Sequence, residues 1–273
     1  MATLGAPARA HAAPQALSDS AAWRTIASTL GVATFIGVWV AVTSLGLVPP
    51  TFLPSPTAVL ARIVDLTHEP YSGSLLQAHL LASLRKFGLS YLLAVVIGVP
   101  LGLLMGRFRF VDWLVSPVFE GLRFIPPIAW VPFSILWFGT GFLAPTLVIF
   151  AGAFSPCVLN AYRGAKLIDR QLIEAAQTLG ARGWTMLGQV MLPAALPHIV
   201  AGLRVSAGFG WQSLIGAELI VGSTGLGYMI VQGESNLAPA VVIAGMATIG
   251  VVGALIDYTM RALEDWIRRD WGR

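Results

Sequence analysis

Long apolar runs separated by short charged segments set the pattern of this chain. The first run, about 26–48, is long enough for a helix to cross a hydrocarbon core of ~30 Å, and Pro49 and Pro50 end it. The second, about 87–106, contains Gly98, Gly102 and Gly106. Residues four apart share a helix face, so these glycines predict close approach of a neighbouring helix. Residues 124–162 carry no charge, too long a stretch for one span, and the glycines at 139 and 141 divide it. Spans are expected at about 115–138 and 144–160. Pro126, Pro127 and Pro132 predict a kinked or unwound first half for the earlier of these. Such backbone is tolerated at membrane depth only inside protein or along a water-filled cavity. Spans five and six fall at about 197–221 and 239–260. Short amphipathic helices are expected at 57–66 and 75–84, the second leading into the next span.

The polar interruption at 170–193 breaks this rhythm. Its apolar positions Leu172, Ile173, Ala176 and Leu179 predict a short helix with these residues on one side. Gly180 turns the chain, because glycine tolerates a positive φ. A second amphipathic piece at 184–191 follows, and Pro193 is expected to close it. Two short helices joined at a glycine form a knob that can dock in a groove of a soluble partner. The alternative is a loop whose helices lie on the membrane surface.

Composition agrees with a membrane protein. Of 273 residues, 56% are hydrophobic and only 11% charged, with a mean hydropathy of +0.76, against about 25% charged in soluble domains. The net charge of +4 is read by position and is no argument for nucleic acid. With the N-terminus inside, the inner segments hold twelve Lys and Arg residues and the outer ones three, Arg62, Arg85 and Lys86. That asymmetry predicts both termini in the cytoplasm. Residues 1–22 are expected as a disordered cytoplasmic tail, 23–262 as the membrane domain with its cytoplasmic loop at 163–193, and 263–273 as a charged cytoplasmic tail. The single Cys157 excludes an intrachain disulfide.

Glu174-Ala175-Ala176, then Gly180, then Leu192-Pro193 resembles the EAA loop of ABC importer permeases. Val190 stands where that family often has isoleucine. Further stretches are similar to its nitrate, sulfonate and taurine branch: LPSP at 53–56, the run at 79–102, LRFIPPIAWVPFSILWFGTG at 122–141 and GLRVSAGFGWQSLIGAEL at 202–219. The resemblance covers roughly residues 25–262. It implies the type I ABC importer permease fold, with six transmembrane helices and a cytoplasmic coupling helix, in the inner (plasma) membrane. It also implies pairing with a second, identical copy, two ATP-binding cassette subunits below, and an extracytoplasmic solute-binding protein above. Glu174, Ala175, Ala176, Gly180, Leu192 and Pro193 would then contact the ATPase. The cargo would be a small anion such as a sulfonate, taurine or nitrate.

No nucleotide site is legible in the chain itself. A P-loop needs Gly-Lys-Ser/Thr, and the two lysines, Lys86 and Lys166, follow Arg85 and Ala165. ATP and magnesium are therefore expected on the partner subunit, with no cofactor and no catalysis here. The four histidines have no ligand spacing, so no metal is expected. Candidate path residues are Arg123, Pro126, Pro127, Trp130, Arg204 and Glu218. A carboxylate such as Glu218 within an apolar span faces a cavity or the bundle interior, where it pairs with a cation or shapes the path; the blander account puts it hydrated near the outer interface. The resemblance places a Glu there too. Arg123 and Arg204 could attract an anion, or pair locally, Arg123 with Glu120. Trp130 could line the path or simply pack. Two rivals stand against the ABC reading. An ion-coupled secondary transporter would use Glu218 as carrier, and a membrane-embedded enzyme would need a polar cluster that the sequence does not display.

Overall fold

The structure is a computed structural model and describes residues 21–271. The disordered tail expected at 1–22 thus lies outside the described residues, apart from Ala21 and Ala22 at the start of a helix. The chain divides into two compact units whose boundary, after Ala58, falls inside a helix. In the first unit α1 (Ala21–Ser44) ends in a turn, and Trp39 Nε1 donates to the Pro54 carbonyl at 3.1 Å. That bond pins the proline-rich segment to the helix it follows. The boundary helix is α2 (Pro56–His68).

The regular elements of the second unit are helices, joined by turns and one isolated bridge between Tyr71 and Ser74. The unit runs α3 (Leu76–Arg107), α4 (Arg109–Leu122), a 3-10 turn (Pro127–Trp130), α5 (Val131–Phe138), α6 (Leu143–Lys166), α7 (Arg170–Thr178), a short α8 (Gly183–Thr185), a π-helical stretch (Met186–Met191), α9 (Leu192–Val221), α10 (Leu226–Ser235) and α11 (Pro239–Trp271). Among the described residues five helices, α1 of the first unit included, are long and apolar enough to cross a membrane. The number rises to six if α4 with the 3-10 turn and α5, bent by 91°, is taken as one broken span. The bend lies at Arg123–Pro126, where Pro126 and Pro127 supply no backbone N–H for helical bonds. Gly139, at φ 68°, stops α5.

Helix α6 is the centre of this unit. It packs on α3 through the glycine row read in the sequence. A Cβ on Gly98 would lie 2.9 Å from Cys157 Cβ, and one on Gly102 would strike Ala161 Cβ at 2.8 Å. On its other side α6 meets α9, where Gly164 admits the His198 side chain and Gly210 faces Ala153. Backbones that approach this closely gain dispersion contacts, and those drive helix association once the surroundings are themselves apolar.

Three boundaries differ from expectation. The amphipathic piece at 75–84 and the span at 87–106 form the single helix α3, because no glycine or proline separates them; the charges at Arg85 and Lys86 do not end it. Helix α11 continues through the segment expected as a tail, held by i,i+4 pairs such as Arg268–Glu264 at 2.9 Å. Helix α10 lies where only a glycine-rich turn was read. Its Leu226, Met229 and Gly233 are buried at helical spacing, a signal short enough to be hidden by the glycines around it.

Candidate functional site

The polar interruption folds as a capped helix. Asp169 accepts from Gln171 N at 2.9 Å and so caps α7 at its N-terminus. At the other end Gly180, at φ 90°, donates to Gln177 O, and Ala181 N reaches back to Ala176 O at 2.9 Å. These two bonds make a Schellman cap, which needs a left-handed residue at the position Gly180 occupies. The Ala-to-Gly spacing of the motif is thereby explained locally. Ile173, Ala176 and Ala181 pack on a cluster built from Ala161, Ala165, Met186 and Met191. Leu172 and Leu179 do not join them. They are 47% and 88% exposed, so the four apolar positions expected on one side are shared between an anchoring face and a free one. Arg170 Nε meets Glu174 Oε1 at 2.7 Å on the exposed side, and Ala175 is exposed beside it.

Pro193 does not close a separate helix. From Gly183 to Val221 the chain is one helix with a π-helical stretch immediately before Leu192-Pro193. Proline has no N–H and its ring crowds the carbonyl one turn back; the wider π turn accommodates both without a break.

A second site lies where α4 bends. Arg123, Pro126 and Pro127 line an open cavity of about 470 Å³ with Asn160 and Arg163 of α6 and Phe209 of α9. Trp130 lines the smaller cavity beside it, together with Arg123. Arg123 donates to Glu120 at 2.7 Å, the local pairing its i,i+3 spacing suggested. Arg163 was counted in the sequence only as an inner positive charge, yet it belongs to this cavity. Arg204 is not in it. Its guanidinium forks onto Asp257 at 2.6 and 3.4 Å and reaches Glu264 at 3.6 Å, tying α9 to α11. Those partners are more than fifty positions away, beyond any sequence pattern.

Glu218 is also elsewhere. It is 1% exposed, which corrects the account in which it is hydrated. Lys86 Nζ donates to its Oε1 at 2.8 Å and also to the Thr224 carbonyl. Ser83 Oγ donates to the carboxylate and accepts from Leu226 N at 2.9 Å, and Gly227 N donates to Oε2 at 3.0 Å. His79 Nδ1 accepts from Gly225 N at 3.3 Å, so its Nε2 carries the proton given to the Tyr71 carbonyl at 3.0 Å. The glycine-rich turn at 222–227 thus wraps the carboxylate. A Cβ on Gly225, at φ 123°, would collide with the Glu218 carboxylate, and one on Gly227 would lie 2.6 Å from Glu218 Cβ. The carboxylate thus accepts from Lys86, Ser83 and the Gly227 backbone at once.

The comparison with known proteins now decides the class. Residues 98–269 match the family described as binding-protein-dependent transport system inner membrane component. The chain belongs to this family. The permease is 37% identical over 243 residues to the taurine transport system permease protein TauC of Escherichia coli (strain K12), covering 88% of each chain. It is 35% identical over 232 residues to the putative aliphatic sulfonates transport permease protein SsuC of Bacillus subtilis (strain 168), covering 85% of this chain and 83% of the other. A solved structure of the MetNI methionine ABC transporter in inward-facing conformations shares the fold with a TM-score of 0.60, at 23% identity, over 72% of this chain and 96% of that one. The permease therefore has the type I ABC importer fold and is an inner-membrane, multi-pass subunit of an ATP-driven importer, in preference to an ion-coupled carrier.

Proposed function

We propose that α7 and the Gly180 turn are the element through which ATP hydrolysis on partner subunits moves the permease. The carrying observation is a capped helix between two spans, anchored by Ile173 and Ala176, that leaves Leu172, Glu174 and Leu179 exposed. Such a helix suits a groove on two ATP-binding subunits, which hold the nucleotide and magnesium. Leu192 and Pro193 join the knob to α9 through the π-helical stretch, so a push on α7 is delivered along a continuous helix to the cavity wall. A second copy of this chain completes the path, an extracytoplasmic binding protein delivers the solute, and both termini lie in the cytoplasm. With Lys86 buried against Glu218, the outer basic residues fall to Arg62 and Arg85, which strengthens that orientation. The solute is a small anion such as a sulfonate, taurine or nitrate, in line with the relatives' names and with the arginines at the cavity.

Uptake into proteoliposomes holding the permease, its ATP-binding subunits and its binding protein tests this. Glu174→Ala and Gly180→Pro are expected to abolish ATP-driven uptake while the protein still folds and inserts. Uptake by the permease alone, without ATP, would refute the reading.

A further inference from the structure

We propose that the cavity at the α4 bend is a station for an organic anion, with Arg163 binding its charged group. The proposal rests on the permease reading above and narrows its solute class.

The argument starts from charge. The cavity is lined by two guanidinium groups, Arg123 and Arg163, and by no acidic side chain. Glu120 already neutralises Arg123, taking both Nε and Nη2 at 2.7 Å. Asp112, the other acid of α4, accepts from Ser116 at 2.7 Å and Tyr162 at 3.1 Å and pairs with Lys166 at 3.3 Å. Neither acid is left for Arg163. Arg163 is itself exposed, and among the described residues its guanidinium has no hydrogen-bond or ion-pair partner, so its forked set of donors is free for an anion entering this space.

Its neighbours are polar. Asn160 lies three residues earlier on α6, and its Nδ2 is fixed by the Pro156 carbonyl at 2.8 Å. That bond leaves the second amide hydrogen and the carbonyl oxygen available. Gly202 of α9 makes the room: a Cβ there would overlap the Asn160 side chain. Apart from Ser155, the remaining wall is apolar, with Ile125, Pro126, Val205 and Phe209 its larger members. A bare inorganic anion could use Arg163 but would leave that wall without a function. A sulfonate or carboxylate carrying a short hydrocarbon body uses both ends. The arrangement therefore selects an organic anion over nitrate.

A labelling experiment reads the site without relying on uptake. The complete transporter, carrying Ser155→Cys in the same cavity wall, is treated with anionic 2-sulfonatoethyl methanethiosulfonate or neutral methyl methanethiosulfonate. Cys157 is buried, and the parent protein supplies the background. Adding Arg163→Gln is expected to slow the anionic reagent about tenfold, the size of one charge-assisted hydrogen bond, and to leave the neutral reagent unchanged. Arg163→Lys is expected to keep most of the anionic rate. Butanesulfonate is expected to protect the cysteine, and sodium nitrate at equal ionic strength is not. An anionic rate indifferent to Arg163→Gln overturns the station, and equal protection by nitrate overturns the organic class. ATP hydrolysis by the same preparation is measured in parallel. Coupled hydrolysis with labelling indifferent to Arg163 removes the station alone, whereas loss of association with the ATP-binding subunits removes the permease reading.

Discussion

Lys86 Nζ lies 2.8 Å from Glu218 Oε1, joining α3 to α9 with both side chains withdrawn from solvent. Removing one member of a buried pair leaves the other charge uncompensated, at a cost of about 3–5 kcal/mol. Lys86→Met and Glu218→Gln are each expected to lower the melting temperature of the detergent-purified permease sharply. The double variant is expected to lose less than the sum of the two. Additive losses in such a double-mutant cycle would show that the pair does not act as a unit.

The glycines of the turn follow from that carboxylate. Gly225→Ala is expected to destabilise the permease, since its φ of 123° suits no side chain and the added Cβ would meet the Glu218 carboxylate. Gly121→Ala is the control, because nothing lies within 4 Å of that position. It should be neutral or gain up to about 1 kcal/mol from helix propensity. Equal melting temperatures for the two variants would contradict this account of the turn.

The free face of α7 predicts a binding effect. Leu179→Ser removes an 88% exposed apolar side chain that contributes nothing to the permease core. Its melting temperature should match the parent. Association with the ATP-binding subunits is expected to weaken by about tenfold, the scale of a truncation costing over 1 kcal/mol at an interface. Pull-down titration checks this, and unchanged association would move the docking surface away from Leu179.

Pro193 predicts uncoupling. With alanine there, the ring no longer crowds the carbonyl one turn back, and the π-helical stretch at Met186–Met191 can relax to α. Losing the extra residue of the π turn rotates α7 relative to α9 by about 100°, one residue's worth of helical turn. Pro193→Ala is expected to keep or raise stability while lowering the solute moved per ATP. The ratio of uptake to hydrolysis in proteoliposomes is the measurement, and an unchanged ratio would count against a fixed register.

The pair of Arg204 with Asp257 predicts little. Their side chains are 31% and 43% exposed, and partly exposed pairs contribute about 0–1 kcal/mol. Arg204→Gln is therefore expected to cost little stability, and a large loss would show that the α9–α11 network is stronger than its exposure implies.

Much of this architecture was legible in the chain. Apolar run length predicted the crossings, Pro126 and Pro127 predicted the broken one, and the row of Gly98, Gly102 and Gly106 predicted close packing. These are properties of short windows, in which lipid and backbone geometry leave few choices. The Schellman cap at Gly180 belongs here too, because it closes within six residues. The bounds of α3 and α11 are hidden for the same reason: a short window shows the charges at Arg85 and Lys86, or those after residue 262, as a border, although both helices run through them.

Partnership was decided only by the tertiary structure. No window joins Lys86 to Glu218, Arg204 to Asp257, or Arg163 to Phe209, since each pair lies on different helices far apart in sequence. The sequence by itself determined most of the helices, α10 excepted, and which residues carry charge. Which charges are consumed by a partner, and which one, Arg163, is left facing a cavity, was decided by how α3, α6 and α9 pack. Pairing energies depend on distance and burial, and packing alone sets both.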